Sequence, residues 1–426
     1  MRTRHEAGSP ESLSIAEAKV KAFEFIDEHN ADLLHLSHDI HGEPELGLEE
    51  HYAVRRVREL LLAHGVEVKS PAYGFDTAFE VEAGGAGPRV ALLCEYDALE
   101  SLGHACGHNV IAAAGVGAWL AAARLAEECR GRAVLLGCPA EETTGGKVIM
   151  ASRGAFEKVD AALMVHPGDA DCAIALMLAL KEFEARYEGK EAHAAEAPWE
   201  GRNALDAAVL GYNAVAALRQ HIKPGERVHG VFGPSGEPAN VVPGFSTMHW
   251  MVRAPTWPGL EALDERVCAC LEAGAMAAGC ACNFKAKGQP YYDVRHNLPL
   301  AKAWQDNMRT LHRDVVAPDE PAGSTDIGNV SYLVPAIHAH VQAAPKGTKL
   351  HTREFVVAST GSLADEAVLV GAKSLAMTVI DFWLDASLRT SAAEAFRAGP
   401  LGTLTQSRSA PSDLHPRRPS PPPAGA

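Results

Sequence analysis

An α/β protein built on a doubly wound, mostly parallel sheet, with an inserted α+β ferredoxin-like domain, is the fold class this chain predicts. Three observations carry the prediction. First, apolar strands alternate with helical segments: VALLCEYD (90–97), a helix at about 109–127, RAVLLGCP (132–139), a short helix at about 145–152, then AALMV (161–165). Strand–helix–strand repeats at this spacing imply right-handed crossovers and a largely parallel sheet. Second, Asp97, Glu141, Glu142 and His166 fall at the carboxyl ends of those strands, where open α/β sheets bind their ligands. Third, the texture changes near residue 182 to a β-α-β-β-α-β order, that of a small open-faced sheet covered by two helices.

In chain order, residues 1–12 read as a frayed leader. The run from Ser14 to His41 has helical spacing, with Leu33, Leu34 and Leu36 on one side. It stops at Gly42-Glu43-Pro44, where glycine and the restriction before proline both disfavour helix. Residues 49–64 form a second amphipathic helix closed by Gly65, and 77–82 and 89–95 are strands. In the inserted block, 182–297, the strands are 183–189, 228–232, 245–253 and 282–287, with helices at 203–221 and 259–278. The block divides a catalytic domain into 13–181 and 298–388, the second part holding a strand at 335–341 and a long helix at 352–385. Residues 389–426 end in a Pro/Ser-rich run and read as a disordered tail.

Bulk properties narrow the function. The chain has 426 residues, 47% hydrophobic and 22% charged, enough for two domains of ordinary globular composition. A net charge of −15 argues against nucleic-acid or anionic-membrane binding. No apolar signal segment opens the chain, and the longest apolar run, 110–123, is too short for a membrane span. Nine cysteines without an export signal point to reduced thiols and a cytoplasmic protein.

The chemistry gathers around Gly103-His104-Ala105-Cys106-Gly107-His108-Asn109, a thiol and an imidazole two residues apart at a helix entrance. Thiolate and imidazole both bind zinc-like ions, and glycine lets the backbone turn tightly around them. Glu141 and Glu142 are adjacent carboxylates at a strand end, so one can hold a metal while the other serves as general base. His166 and His351 are further ligand candidates, His338 and His340 are rivals on one strand face, and Asp326 reads as a helix or turn cap.

Five segments resemble the metal-dependent aminoacylase/carboxypeptidase family of amidohydrolases: HGEPELGLEEHYA (41–53), EYDALESLGHACGHN (95–109), CPAEETTGGK (138–147), AHAAEAPWEGRNALDAA (192–208) and GSTDIGNVS (323–331). They follow the family's motif order over roughly residues 20–385. The closest branch includes hydrolases of indole-acetyl-amino acids, p-aminobenzoyl-glutamate and β-alanyl dipeptides. The resemblance implies two divalent metal ions, zinc or manganese first and cobalt or nickel also suited. Their ligands would be Cys106, His108, Glu142, His166 and His351, with Cys106 shared. Glu141 would be the general base, and Asp97 a carboxylate orienting the site. It further implies that the inserted domain is a lid that also makes a homodimer. His193 would reach the partner's site to stabilise the tetrahedral oxyanion, and Asn240 would hold the substrate's carboxylate end. The expected substrate is a small N-acyl amino acid or dipeptide.

The chain departs from the family at Asn109, where many relatives carry Asp, and at Glu100, where proline is usual. Glu95 stands where other branches use a histidine ligand, which makes the cysteine-type ligand set the consistent choice. Cys268-x-Cys270 and Cys280-x-Cys282 read as free core thiols rather than a structural zinc site. Trp199, Trp250 and Trp257 read as lid packing. A metal-binding protein of this fold without catalysis, or a thiol redox protein, are the competing classes.

Overall fold

The structure is a computed structural model and describes residues 13–236, 238–317 and 323–399. It forms two compact units, with changes between Ala175 and Leu176, Val294 and Arg295, and Asn329 and Val330. The second unit thus begins before the expected residue 182, because its first strand is longer than the apolar pattern suggested. It also includes 323–329, tied in by Leu178 N–H donating to Gly323 O at 2.7 Å.

The first unit opens with α1 (Ile15–Glu28), whose Ser14 and Glu17 cap each other's backbone reciprocally. The expected single helix to residue 41 is two, since α2 (Asn30–Gly42) starts after a break at His29. There φ is −110° and the ring, stacked on Phe25, hydrogen-bonds with Phe25 O at 2.9 Å. Next come α3 (His51–Ala63), β1 (Phe79–Ala83), β2 (Arg89–Glu95), α4 (His108–Leu125), β3 (Arg132–Cys138), α5 (Gly146–Ser152) and β4 (Ala161–Gly168). The second unit holds β5 (Ala179–Glu188), α6 (Ala204–Leu218), β6 (Arg227–Ser235), β7 (Phe245–Ala254), α7 (Trp257–Ala277) and β8 (Ala281–Ala286). The chain continues through α8 (Leu298–Thr310), α9 (Ile327–Ser331), β9 (Ala336–Gln342), α10 (Arg353–Ala358), α11 (Ser362–Leu384) and α12 (Ala386–Ala398).

The first sheet runs β1-β3-β2-β4-β9, parallel except for β1. From β2 the chain crosses through α4 to β3, then returns through α5 to β4 on the other side of β2. That reversal makes the carboxyl end of β2 the switch point where a crevice opens. β2 is buried along its whole length, which is why it reads as an unbroken apolar run. Helix α4 is buried on nearly every side, and Gly117 lets Leu33 and Ala372 press against it: a Cβ there would stand 2.7 Å from Leu33 Cδ1. The second sheet is antiparallel throughout, ordered β6-β7-β5-β8, and α6, α7 and their sheet enclose a separate core around Trp250, Leu263 and Leu271. This is the strand order of a ferredoxin-like β-α-β-β-α-β unit.

Three further sequence expectations need correction. The long helix at 352–385 is broken between α10 and α11, where Ser359 turns its carbonyl to Asn109 Nδ2 (2.9 Å) and Gly361 follows. The tail is not disordered from 389. It continues as α12, capped by Asp385 and anchored by Asn297 Nδ2 donating to Ala392 O at 2.8 Å; residues 400–426 lie outside the described chain, as do 1–12. Trp199 does not pack in the lid, being 78% exposed, whereas Trp250 is buried. Helix α11 is long and apolar enough to cross a membrane, but 78% of its apolar window is buried in the protein, so it reads as a core helix.

Candidate metal centre

Each donor is placed by the end of a strand or the start of a helix. Cys106 and His108 leave the β2–α4 connection, where Gly107 takes φ 72° as the cap of α4. A side chain at Gly107 would meet Pro167 Cγ at 2.7 Å, so glycine is required both for the turn and for the approach of β4. Glu141 and Glu142 follow β3 through Ala140, which holds φ 58°. His166 lies near the carboxyl end of β4, and His351 precedes α10 with φ 61°, its N–H donating to Ala105 O at 2.9 Å. That bond ties the most distant donor in sequence back to the Cys106 loop.

The donors converge in triads whose ligand atoms lie within 4.8 Å of one another: Cys106, His108 and His166; Cys106, Glu142 and His351; and His108, Glu141 and Glu142. Cys106 Sγ is 3.4 Å from His166 Nε2, and Glu142 Oε1 is 3.2 Å from His351 Nε2. His108 Nδ1 meets Asp97 Oδ1 at 2.9 Å, while its Nε2 is buried without a hydrogen bond. A buried, unsatisfied imidazole nitrogen facing thiol and carboxylate donors, with its other nitrogen held by a carboxylate, is the arrangement a metal ligand needs. The residues fit a metal. Asp97 also accepts the Glu142 N–H through Oδ2 at 2.9 Å, so one carboxylate orients two donors.

Electrostatics without a cation follow from burial. Desolvation, then Glu142, pushes the Cys106 thiol well above its usual range. Burial opposes charging His108, but Asp97 and Cys106 draw it upward. Burial and the neighbouring His108 lower His166 to about 4. Burial works against an ionised Glu142, yet the His351 hydrogen bond and the His108 charge hold it at about 2.

Other candidates fall elsewhere. His338 is buried and His340 half-buried, with rings 5.3 and 5.4 Å from His166, and neither enters a donor triad among the described residues. His193 and Asn240 belong to the second unit, where Ala194 N–H donates to Asn240 O at 2.9 Å. His193 Nδ1 accepts the N–H groups of Ala195 (3.2 Å) and Glu196 (3.1 Å), so its proton sits on Nε2, an outward donor. Cys268, Cys270, Cys280 and Cys282 of the second unit are in no disulfide, and among the described residues they enter no metal cluster. Asn109 donates to both Ser37 Oγ and Ser359 O at 2.9 Å, and an ionised aspartate could not donate to the Ser359 carbonyl. The sequence did not reveal Lys147, fully buried and ion-paired with Glu95, whose Oε2 stands 3.6 Å from His108 Nε2. Lys147 and His108 keep Glu95 below its usual range against the pull of burial.

This donor set, on this fold, defines a metallohydrolase. Residues 92–375 match the model of peptidase family M20/M25/M40, and the chain belongs to that family, whose members hydrolyse amide bonds. Among its relatives is the Xaa-Arg dipeptidase of Mus musculus, 38% identical over 88% of this chain and 91% of that one. A p-aminobenzoyl-glutamate hydrolase chain of Escherichia coli is 28% identical over 83% and 89%. Among solved structures, a dinuclear metal binding peptidase of the M20 family from Bacillus subtilis aligns with TM-score 0.65 at 20% identity, covering 83% and 98%.

Proposed function

We propose that this enzyme hydrolyses the amide bond of a small dipeptide or N-acyl amino acid, with two divalent cations held by triads that share Cys106. The observation that carries the reading is the pair of donor triads meeting at one thiol, with Glu141 beside them. Cys106, His108 and His166 would hold one ion and Cys106, Glu142 and His351 the other. Mixed sulfur, nitrogen and oxygen donors suit zinc or manganese, and also cobalt or nickel. When bound, the ions supply Lewis acidity that polarises the amide carbonyl and acidifies water. Glu141 takes the water's proton and passes it to the leaving amine. His193 Nε2–H, from the partner protomer of a homodimer formed through the second unit, donates to the tetrahedral oxyanion. Asn240 receives the substrate's carboxylate. Dipeptides are the favoured class, supported by the relative named as an Xaa-Arg dipeptidase; N-acyl and aryl amino acids are the second. The chain's composition fits a cytoplasmic location.

The test is mass-spectrometric screening of metal-reconstituted enzyme against α-dipeptides, β-alanyl dipeptides and N-acyl amino acids. Cleavage of one class assigns the substrate, and no cleavage of any with full metal content overturns the reading. His193→Ala lowers kcat by about 10²- to 10³-fold, the range for losing one oxyanion donor, at unchanged metal content. Steady-state kinetics with metal analysis checks this, and an unaltered kcat removes His193 from the mechanism.

A further inference from the structure

We infer that Glu50 is a positioning residue for the Glu141–Glu142 pair, acting through the backbone of Ala140. The inference rests on the reading above, in which these two carboxylates are base and ligand.

Glu50 is fully buried and stands at the N-terminus of α3, yet it does not cap that helix. Glu45 does so instead, its two carboxylate oxygens taking the N–H groups of Tyr52 (2.8 Å) and Ala53 (3.0 Å). The Glu50 side chain is thereby free to turn inward, where Oε1 accepts the Ala140 N–H at 2.8 Å. Ala140 carries a left-handed φ of 58°, a conformation that is strained for a residue with a Cβ. Its carbonyl accepts the N–H groups of Thr144 (3.2 Å), Gly145 (3.1 Å) and Gly146 (3.3 Å), so the turn carrying Glu141 and Glu142 is built on this one residue. Two buried carboxylates thus hold alternate backbone N–H groups, Glu50 at Ala140 and Asp97 at Glu142, and bracket Glu141 between them.

The same segment grips the neighbouring loop. Glu45 O accepts the Ala98 N–H at 2.8 Å, next to Asp97. Gly47 lies so close to Ala140 that a Cβ would meet its Cα at 2.9 Å and Thr143 Oγ1 at 2.5 Å. Residues 45–50 therefore clamp the β2–α4 and β3–α5 connections to each other. Burial, then the nearby Asp97, raises Glu50 to about 7. Acid and carboxylate forms both keep an acceptor for the Ala140 N–H, so the role needs an oxygen there rather than a charge.

Four proteins test this: wild type, Glu50→Ala, Glu50→Gln and the double variant Glu50→Ala with Ala140→Gly. Readouts are kcat and KM on the substrate found by screening, metal stoichiometry, and the visible spectrum of the cobalt(II)-loaded protein. Glu50→Ala lowers kcat at least tenfold with KM within threefold, and alters the cobalt spectrum as Glu142 shifts. Glu50→Gln stays within threefold of wild type in both. Glycine at 140 makes the left-handed turn free of strain, so the double variant recovers part of the lost kcat. An unchanged kcat and spectrum in Glu50→Ala overturns the inference, as does Glu50→Gln failing like Glu50→Ala. If Glu50→Ala does not fold, Glu50→Gln and the double variant still decide it. A wild type inactive on every amide tested condemns the functional reading, whereas the cobalt spectra still judge the positioning role.

Discussion

Replacing Glu141 with glutamine removes most of the hydrolytic activity and leaves the metal content intact. Glutamine keeps the size and shape of the side chain but cannot accept a proton at neutral pH. General base catalysis contributes about 10²- to 10⁴-fold, and kcat should fall by that factor. The geometry makes the role separable from ligation. Glu141 is buried, and one of its oxygens lies within 4.8 Å of His108 and Glu142 donors, but it belongs to neither triad that contains Cys106. Its neighbour Glu142 belongs to one of those triads, so Glu142→Gln should instead lose metal together with activity. The measurement is kcat on the screened substrate beside metal content by mass spectrometry. A Glu141→Gln enzyme within tenfold of wild type ends the general-base role, and one that loses its metal makes Glu141 a ligand instead.

Much of this centre was legible because its donors are chemically conspicuous. A thiol, imidazoles and paired carboxylates at the ends of apolar strands stand out in a sequence, and the strands themselves read as unbroken apolar runs because both faces of β2 and β4 are covered. What supports the donors was hidden. Glu50 and Lys147 look like surface charges in the sequence, yet both are buried, and Glu50 finds its partner 90 residues away. No local pattern marks a charge whose counterpart comes from another loop. Helix ends failed for a similar reason. The break at His29 depends on its ring reaching Phe25 O, and the break before α11 on Ser359 serving Asn109. The first is a local contact over four residues and the second a tertiary one, and both interrupt sequences that periodicity alone would keep helical. Trp199 misled in the opposite direction, because a large aromatic suggests a core and here lies exposed.

Cys106→Ala should abolish two-metal occupancy while the fold persists, because this thiol is the one donor common to both triads. Without it each ion keeps only two side chains, His108 with His166 or Glu142 with His351. The fold has little reason to fail. Removing one buried sulfur costs about 1 kcal/mol in lost apolar burial, and the loop stays held by Gly107 and by the His351 N–H to Ala105 O. Metal binding to the wild type must displace the proton of a thiol that burial holds well above its usual range. Uptake therefore releases a proton, and affinity rises with pH; the alanine variant loses this share of the pH dependence. Metal stoichiometry after reconstitution, with circular dichroism to verify folding, decides the matter, and a folded variant still carrying two ions refutes the shared thiolate. Cys106→Asp sharpens the test, since a carboxylate can also bridge two cations: it should regain metal, while its cobalt form lacks the sulfur-to-metal charge-transfer band of the wild type.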